Sequence, residues 1–287
     1  MHSAEALLEI AARLADQAGH AIMAIRAHGF EVRHKEDRSP VTVADTVAEA
    51  IILDGLRETG IPVVAEEMMS DGAAMRASAR YWLVDPLDGT KEFAKGLDEF
   101  VVCIGLIEEG YPRLGVLALP VEGSVVGGLV GEGVCWKQLG ERRAIRARPR
   151  PSALTVLDSR SHPNPARVER ILAGHTLGET RNMGSAMKFA VLAEGLADVI
   201  PRPGTTMEWD SAAGQAVVEA AGGRVTDMAG ERLAYGKPDF RNAGFIAWGA
   251  PAAPGAWGAP TPPGASGVPT GPGAFGAPTA RGTRGVS

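Results

Sequence analysis

The chain has 287 residues, of which 45% are hydrophobic and 22% charged, with a formal charge of −5 and only two cysteines. That length accommodates one large core or two smaller ones. The acidic balance argues against a nucleic-acid polymer as partner, Cys103 and Cys135 provide neither a zinc spacing nor a disulfide framework, and no apolar run is long enough to span a bilayer.

The first predicted element is an amphipathic helix. Leu7, Ile10, Ala11, Leu14, Ala18, Ala21, Ile22 and Ile25 share one face, with Glu5, Glu9 and Asp16 off it, and the segment lacks the form of a signal peptide. Ser39-Pro40-Val41-Thr42-Val43-Ala44-Asp45 then leads into a second helical stretch, Thr46 to Arg57. Pro62 to Ala65 reads as a short apolar strand ending in two acids, Glu66 and Glu67.

The most informative stretch follows, Trp82-Leu83-Val84-Asp85-Pro86-Leu87-Asp88-Gly89-Thr90-Lys91-Glu92-Phe93. Tyr81 to Val84 is a buried strand by composition, and Pro86 predicts a turn there, because proline cannot continue a central strand. Asp85 and Asp88 are then two hard anionic ligands at a sheet edge, suited to Mg²⁺ or Mn²⁺ rather than zinc. Gly89 allows close backbone approach to an anion, and the consecutive N–H groups there can grip a phosphate.

Three strands come next, Val101 to Ile107, Leu114 to Leu119 and Val125 to Val130, and their succession predicts an antiparallel sheet faced by helices. Cys103 lies in the first of them as a core residue. Arg142, Arg143, Arg146, Arg148 and Arg150 mark a basic connection, expected to be solvated, with steering of an anionic substrate or lipid as the less favoured alternative.

Beyond residue 152 strand and helix alternate: Leu154 to Leu157, Ala166 to Ala173, Ser185 to Glu194, Asp210 to Ala221 and Gly244 to Trp248. Asp210 opens its helix either as a cap or as a cap that also points at a cation. Ser159-Arg160-Ser161-His162 ends a strand with donors suited to phosphate or ribose hydroxyls, and Gly184 to Lys188 opens a helix whose N-terminus favours an anion. Residues 249–287 contain no acid and repeat a Gly/Ala/Pro/Thr unit, as in Gly255 to Thr261, Gly264 to Thr270 and Gly273 to Thr279, a composition that predicts disorder.

The motifs Trp82 to Phe93 and Trp209 to Gly223, in this order and preceded by Ser39 to Asp45 and Glu66-Glu67, resemble the inositol monophosphatase superfamily of Mg²⁺-dependent, lithium-sensitive phosphatases. Within it the resemblance is to the bacterial 3′(2′),5′-bisphosphate nucleotidases of the CysQ type. It covers residues from about 4 to about 248. The implied fold is a layered αβαβα sandwich, mixed α+β and α/β. It would have an N-terminal half over residues 1–150, a C-terminal half over 151–248 and the site between them.

The resemblance further implies two or three Mg²⁺ ions, with Mn²⁺ as a substitute. The implied ligands are Glu67, Asp85, Asp88, Asp210 and the carbonyl of Leu87, with Glu66 solvated or behind the ligands. Gly89 and Thr90 would grip phosphate through the backbone. The Thr90 hydroxyl, held by Asp45, would activate water together with the metal-bound Glu67. Ser185, Lys188 and Arg202 would hold a second phosphate and His162 the nucleotide. The implied substrate is the small molecule 3′-phosphoadenosine 5′-phosphate, a by-product of sulfur assimilation, with inositol monophosphate or fructose bisphosphate as alternatives. A phosphate-binding module without activity would require a missing ligand, and none is missing. The cytoplasm is the expected compartment, and a homodimer or peripheral contact with the inner face of the cytoplasmic membrane stays open.

Overall fold

The computed structural model describes residues 2–34, 40–70, 78–161 and 163–252. In chain order the elements are α1 (Ala4–His28), β1 (Val32–His34), β2 (Pro40–Thr42), α2 (Val43–Leu56), β3 (Val63–Ala65), α3 (Glu66–Ser70), β4 (Arg80–Asp88), α4 (Thr90–Ala94), β5 (Val101–Glu108), β6 (Tyr111–Leu119), β7 (Ser124–Leu129), β8 (Val134–Leu139) and β9 (Glu141–Ala144). There follow β10 (Ala153–Ser159), α5 (Pro165–Ile171), β11 (Thr176–Met183), α6 (Met187–Ala193), β12 (Val199–Arg202), β13 (Thr206–Met207), α7 (Trp209–Ala220), β14 (Arg224–Thr226), β15 (Arg241–Asn242) and β16 (Phe245–Trp248).

Strands β3 to β9 form a seven-stranded sheet in sequential order, antiparallel except for the β3/β4 pair. A second, five-stranded sheet runs β11-β10-β12-β16-β14. Helices α1 and α2 cover one face of the larger sheet, α6 and α7 fill the space between the sheets, and α5 closes the far face of the smaller one. The result is the αβαβα sandwich.

Period-two alternation explains the apolar runs. On β4, Tyr81 and Leu83 face the α6/α7 layer while Trp82 and Val84 face α1 and α2. On β5, Val101 and Cys103 point the first way and Val102, Ile104 and Leu106 the second. A strand covered on both sides has no polar face, so it reads as a continuous hydrophobic run. Cys103 is a core residue, 1% exposed. Helix α7 lies close enough to the sheet that a Cβ on Gly115 would stand 2.3 Å from the Ala213 carbonyl oxygen, so only glycine fits there.

Four local expectations need correction. Pro86 does not end its strand: β4 continues to Asp88 through an irregularity in which Asp85 pairs with Cys103 and Asp88 with Val101. Proline is tolerated there because β3 pairs no further than Val84, so no ladder partner is lost on that side. Helix α2 starts at Val43, capped by Thr42, so Asp45 sits inside its first turn as the reciprocal partner of a capping box. Asp210 is likewise not the cap of α7 but lies in its first turn, after Glu208 at the cap position.

The arginine connection is not simply solvated. Arg142 binds Glu9 and stacks on Trp136, Arg143 binds Glu194, Arg148 binds the buried Asp198, and Arg150 lies over Trp248. Strand β9, which carries its start, had no signal strong enough to separate it from a loop, since three of its four residues are charged. Of the repeat-bearing end, residues 253–287 lie outside the described residues. No helix among the described residues is long and apolar enough to cross a membrane.

Candidate active site

Asp85 continues the Tyr81/Leu83 face of β4 and therefore points toward α7. Asp85 and Asp88 are three positions apart, which in a regular strand would place them on opposite faces. The bulge removes that offset, because the partners on β5, Cys103 and Val101, are two apart and share one face. Both carboxylates are thus turned to the same side. Asp210 meets them from the first turn of α7, and Glu66 comes from the start of α3, directly after β3.

These acids, Leu87, Gly89, Thr90, Ser185, Lys188 and Arg202 line one cleft of about 530 Å³, to which strands of both main sheets contribute. Each aspartate is held by a backbone N–H: Leu87 donates to Asp85 at 3.0 Å, Met207 to Asp210 at 2.9 Å, and Ala186 to Asp88. Burial pushes Asp85 well above the usual carboxylate range, and the charges of Glu66, Asp88 and Asp210 push it further. Asp210 is raised for the same reasons. Burial raises Asp88 to about 6, an effect opposed by Lys188 and the Ala186 N–H. Even the thiol of Cys103, opposite Asp85, is driven upward by burial and by this negative field.

Such a cluster of hard oxygen donors, desolvated and mutually repelling, fits divalent cations such as Mg²⁺. As placed, no three acidic, histidine or cysteine side chains among the described residues converge on one ion. The acids ring the cleft floor, and drawing them together requires positive charge.

Glu67, the expected ligand, does not line this cleft, whereas Glu66 does. Successive residues of a helical turn point about 100° apart, so only one of the pair can face inward. The turn is oriented by Glu49, whose carboxylate accepts the Glu67 N–H at 2.9 Å. The helical start at Glu66 was invisible in a strand-plus-acids reading.

Gly89 caps α4 with φ of 99°, and a Cβ there would lie 2.6 Å from the Glu99 carbonyl oxygen. Conformation and space both demand glycine. The first-turn N–H groups of α4, at Thr90 and Lys91, precede any intrahelical acceptor and point at the cleft end of the helix. The Thr90 hydroxyl lies 3.0 Å from Asp45 Oδ1 and 2.9 Å from the Leu87 carbonyl. Asp45 also accepts the Thr42 N–H and hydroxyl through Oδ2, and its burial raises its carboxyl. Asp45 stands behind Thr90 rather than in the cleft wall.

Two cations face the acids. Lys188 donates to the carbonyls of Met183 and Ser185 at 3.0 and 2.6 Å, leaving one of its three donors for the cleft it lines. Burial lowers it to about 8, opposed by Asp88. Helix α6 starts later than expected, at Met187, and Ser185 precedes it with φ of 48° and its hydroxyl accepting the Met187 N–H. His162 lies outside the described residues. Arg160 donates through Nε and Nη2 to Glu99, and Ser161, which lines the cleft, donates to Glu92. Arg241, which also lines the cleft, carried no distinguishing signal in the sequence, whereas Glu92 belongs to the motif that ends at Phe93.

The sequence profile of the Inositol monophosphatase family matches residues 3–253. A 3′(2′),5′-bisphosphate nucleotidase CysQ of Salmonella typhimurium is 44% identical over 247 residues, 83% of this chain and 98% of that protein. The corresponding protein of Buchnera aphidicola subsp. Acyrthosiphon pisum is 39% identical over 250 residues, 84% and 93% of the two chains. Among solved structures, CysQ from Bacteroides thetaiotaomicron, a bacterial member of the inositol monophosphatase family, matches with a TM-score of 0.71 at 32% identity, covering 85% of this chain and 97% of that one. A Thermotoga maritima IMPase shares the fold, with a TM-score of 0.67 at 24% identity over 84% and 91% of the chains.

Proposed function

This chain belongs to the inositol monophosphatase family, and from that premise we propose that it is a Mg²⁺-dependent 3′(2′),5′-bisphosphate nucleotidase that hydrolyses 3′-phosphoadenosine 5′-phosphate to AMP and phosphate. The observation that carries the reading is the pairing, in one cleft, of a carboxylate floor with the cations Lys188 and Arg202 facing it. A singly phosphorylated substrate needs only the first. A second, uncleaved phosphate accounts for the second.

Glu66, Asp85, Asp88, Asp210 and the Leu87 carbonyl would hold two or three Mg²⁺ ions. Bound there, Mg²⁺ supplies positive charge that offsets the phosphate and makes water a competent nucleophile near neutral pH. The backbone N–H groups at Gly89 and Thr90 hold the scissile phosphate. Thr90 Oγ1 gives its proton toward Asp45 Oδ1 and turns a lone pair to the cleft, where it orients water and draws a proton from it. The raised carboxyl of Asp45 suits it to take that charge. The water oxygen bonds to phosphorus as the bond from phosphorus to the ribose 3′ oxygen breaks; that oxygen leaves with a proton taken from solvent water, and the Asp45–Thr90 pair returns to solvent the proton it received.

Arg202→Ala tests the reading. It should lower kcat/KM on 3′-phosphoadenosine 5′-phosphate by about ten- to a hundredfold, the value of one charge-assisted contact. Adenosine 3′-phosphate, which lacks only the second phosphate, should be hydrolysed as before. Equal losses on both substrates would remove Arg202 from the second subsite.

A further inference from the structure

One set of contacts joins the two halves beside the cleft without belonging to its floor. Glu99, in the loop between α4 and β5, accepts both Arg160 Nε and Nη2 at 2.5 Å, and through Oε2 also the Gly184 N–H at 2.7 Å. Arg160, just past β10, in turn reaches the Asn182 carbonyl at 3.0 Å. Beside this pair Ser161 Oγ donates to Glu92, which is only 7% exposed. Both acids come from the segment that carries Gly89 and Thr90. Their partners come from the ends of β10 and β11, and β11 leads into Ser185 and Lys188.

The turn held in this way is a demanding one. Ser185 adopts φ of 48°, a conformation that a non-glycine residue keeps only where its surroundings enforce it. The enforcing contacts are Gly184 N–H to Glu99, Ala186 N–H to Asp88, and the Lys188 ammonium to the carbonyls of Met183 and Ser185. An exposed ion pair fixes little. The Glu99 side chain, however, is only 18% exposed, and its two oxygens collect two guanidinium donors and a main-chain donor.

We propose that Glu99, clasped by Arg160 and seconded by the Glu92–Ser161 contact, is a positioning residue. It sets the spacing between the scissile-phosphate grip at Gly89–Thr90 and the cations Lys188 and Arg202, and so selects substrates carrying two phosphates at one separation. The inference rests on the proposed nucleotidase reading. Glu99 touches no reacting atom in it; its action passes through the Gly184–Ala186 turn. Loosening the clasp lets that turn drift, which misplaces the second subsite more than the first, whose Asp88 meets the turn through the Ala186 N–H.

The test uses the full chain with Mg²⁺ and the variants Glu99→Gln, Arg160→Met and their combination, read in two ways. The first is the ratio of kcat/KM on 3′-phosphoadenosine 5′-phosphate to that on adenosine 3′-phosphate. Each single variant should lower the ratio about tenfold, the scale of a positional error of an ångström or less. The double variant should be no worse than Glu99→Gln, because both remove one clasp. The second readout is amide hydrogen exchange over residues 183–188 without substrate, which should quicken in Glu99→Gln.

An unchanged ratio in an enzyme that prefers the bisphosphate overturns the inference, as do equal losses on both substrates or additive losses in the double variant. A wild type with no preference for the bisphosphate overturns the nucleotidase reading instead. Amide exchange then still decides the clasp: faster exchange in Glu99→Gln supports it, and unchanged exchange overturns it.

Discussion

Asp88 and Thr90 stand two residues apart and are assigned different work. Asp88 is one of the crowded carboxylates, while Thr90 offers a hydroxyl held by Asp45. Their variants should separate cleanly. Asp88→Asn should lower turnover by more than about a hundredfold and abolish most of the rise in melting temperature produced by Mg²⁺. Thr90→Ala should also slow turnover by about a hundredfold, yet keep the full Mg²⁺-induced rise. A Thr90→Ala protein that no longer responds to Mg²⁺ would contradict this division.

The metal-free protein carries a pH signature of the same cluster. A carboxyl whose folded value lies above its unfolded one stabilises the fold at low pH and loses that contribution as pH rises through the folded value. For Asp88 that value is about 6, and Asp85 and Asp210 are displaced in the same direction. In the presence of a chelator the melting temperature should therefore fall as pH rises through about 6, and Mg²⁺ should restore it. A flat profile would contradict the repulsion. The acids themselves were legible, since aspartates flanking a proline after an apolar strand invite a metal reading. Which of Glu66 and Glu67 lines the cleft was not, because it turns on where helix α3 begins.

Among the elements, β4 shows what sequence pattern omits. The strand, its burial and its two aspartates were plain, but proline was read as a stop where the sheet uses it at a bulge. Whether a strand ends or bulges depends on how far its neighbours run, and β3 stops at Val84. Partner choice was equally hidden in the arginine connection. Arg148 Nε and Nη2 bind Asp198 at 2.8 and 2.7 Å, and Asp198 also takes the Thr155 N–H, so the link between the halves is pinned to β10 and to the start of β12. Arg148→Ala strands a fully buried carboxylate. It should cost about 3 kcal/mol in a denaturant titration, the lower end for a buried pair because Arg148 is half-exposed. A change below about 0.5 kcal/mol would mean that the pair fixes little.

At the scale of the whole molecule, the layered sandwich was reached through the family resemblance more than through periodicity. Strand succession suggested one antiparallel sheet and strand–helix alternation an α/β layer. That α7, from the second half, packs on the first half's sheet follows from Gly115 and the small residues Ala212, Ala213 and Ala216, none of which announces its partner. The folded body extends slightly past Trp248, since the Gly249 N–H donates to the Asp198 carbonyl at 2.8 Å and Ala250 pairs with Pro149. Residues 253–287 contribute repeats poor in large apolar side chains, and a chain ending at Ala252 should keep its melting temperature and turnover. A drop of several degrees on truncation would show that the repeats pack on the body.

The proposed activity requires one cleft to serve two phosphates. The direct measurement is phosphate release with Mg²⁺ from 3′-phosphoadenosine 5′-phosphate, inositol monophosphate and fructose 1,6-bisphosphate, compared as kcat/KM. The predicted result is a preference for the nucleotide of at least about tenfold over either alternative, the value of one well-placed charged contact. Equal or better hydrolysis of inositol monophosphate would contradict it, because Lys188 and Arg202 would then stand beside the reaction without a phosphate to hold.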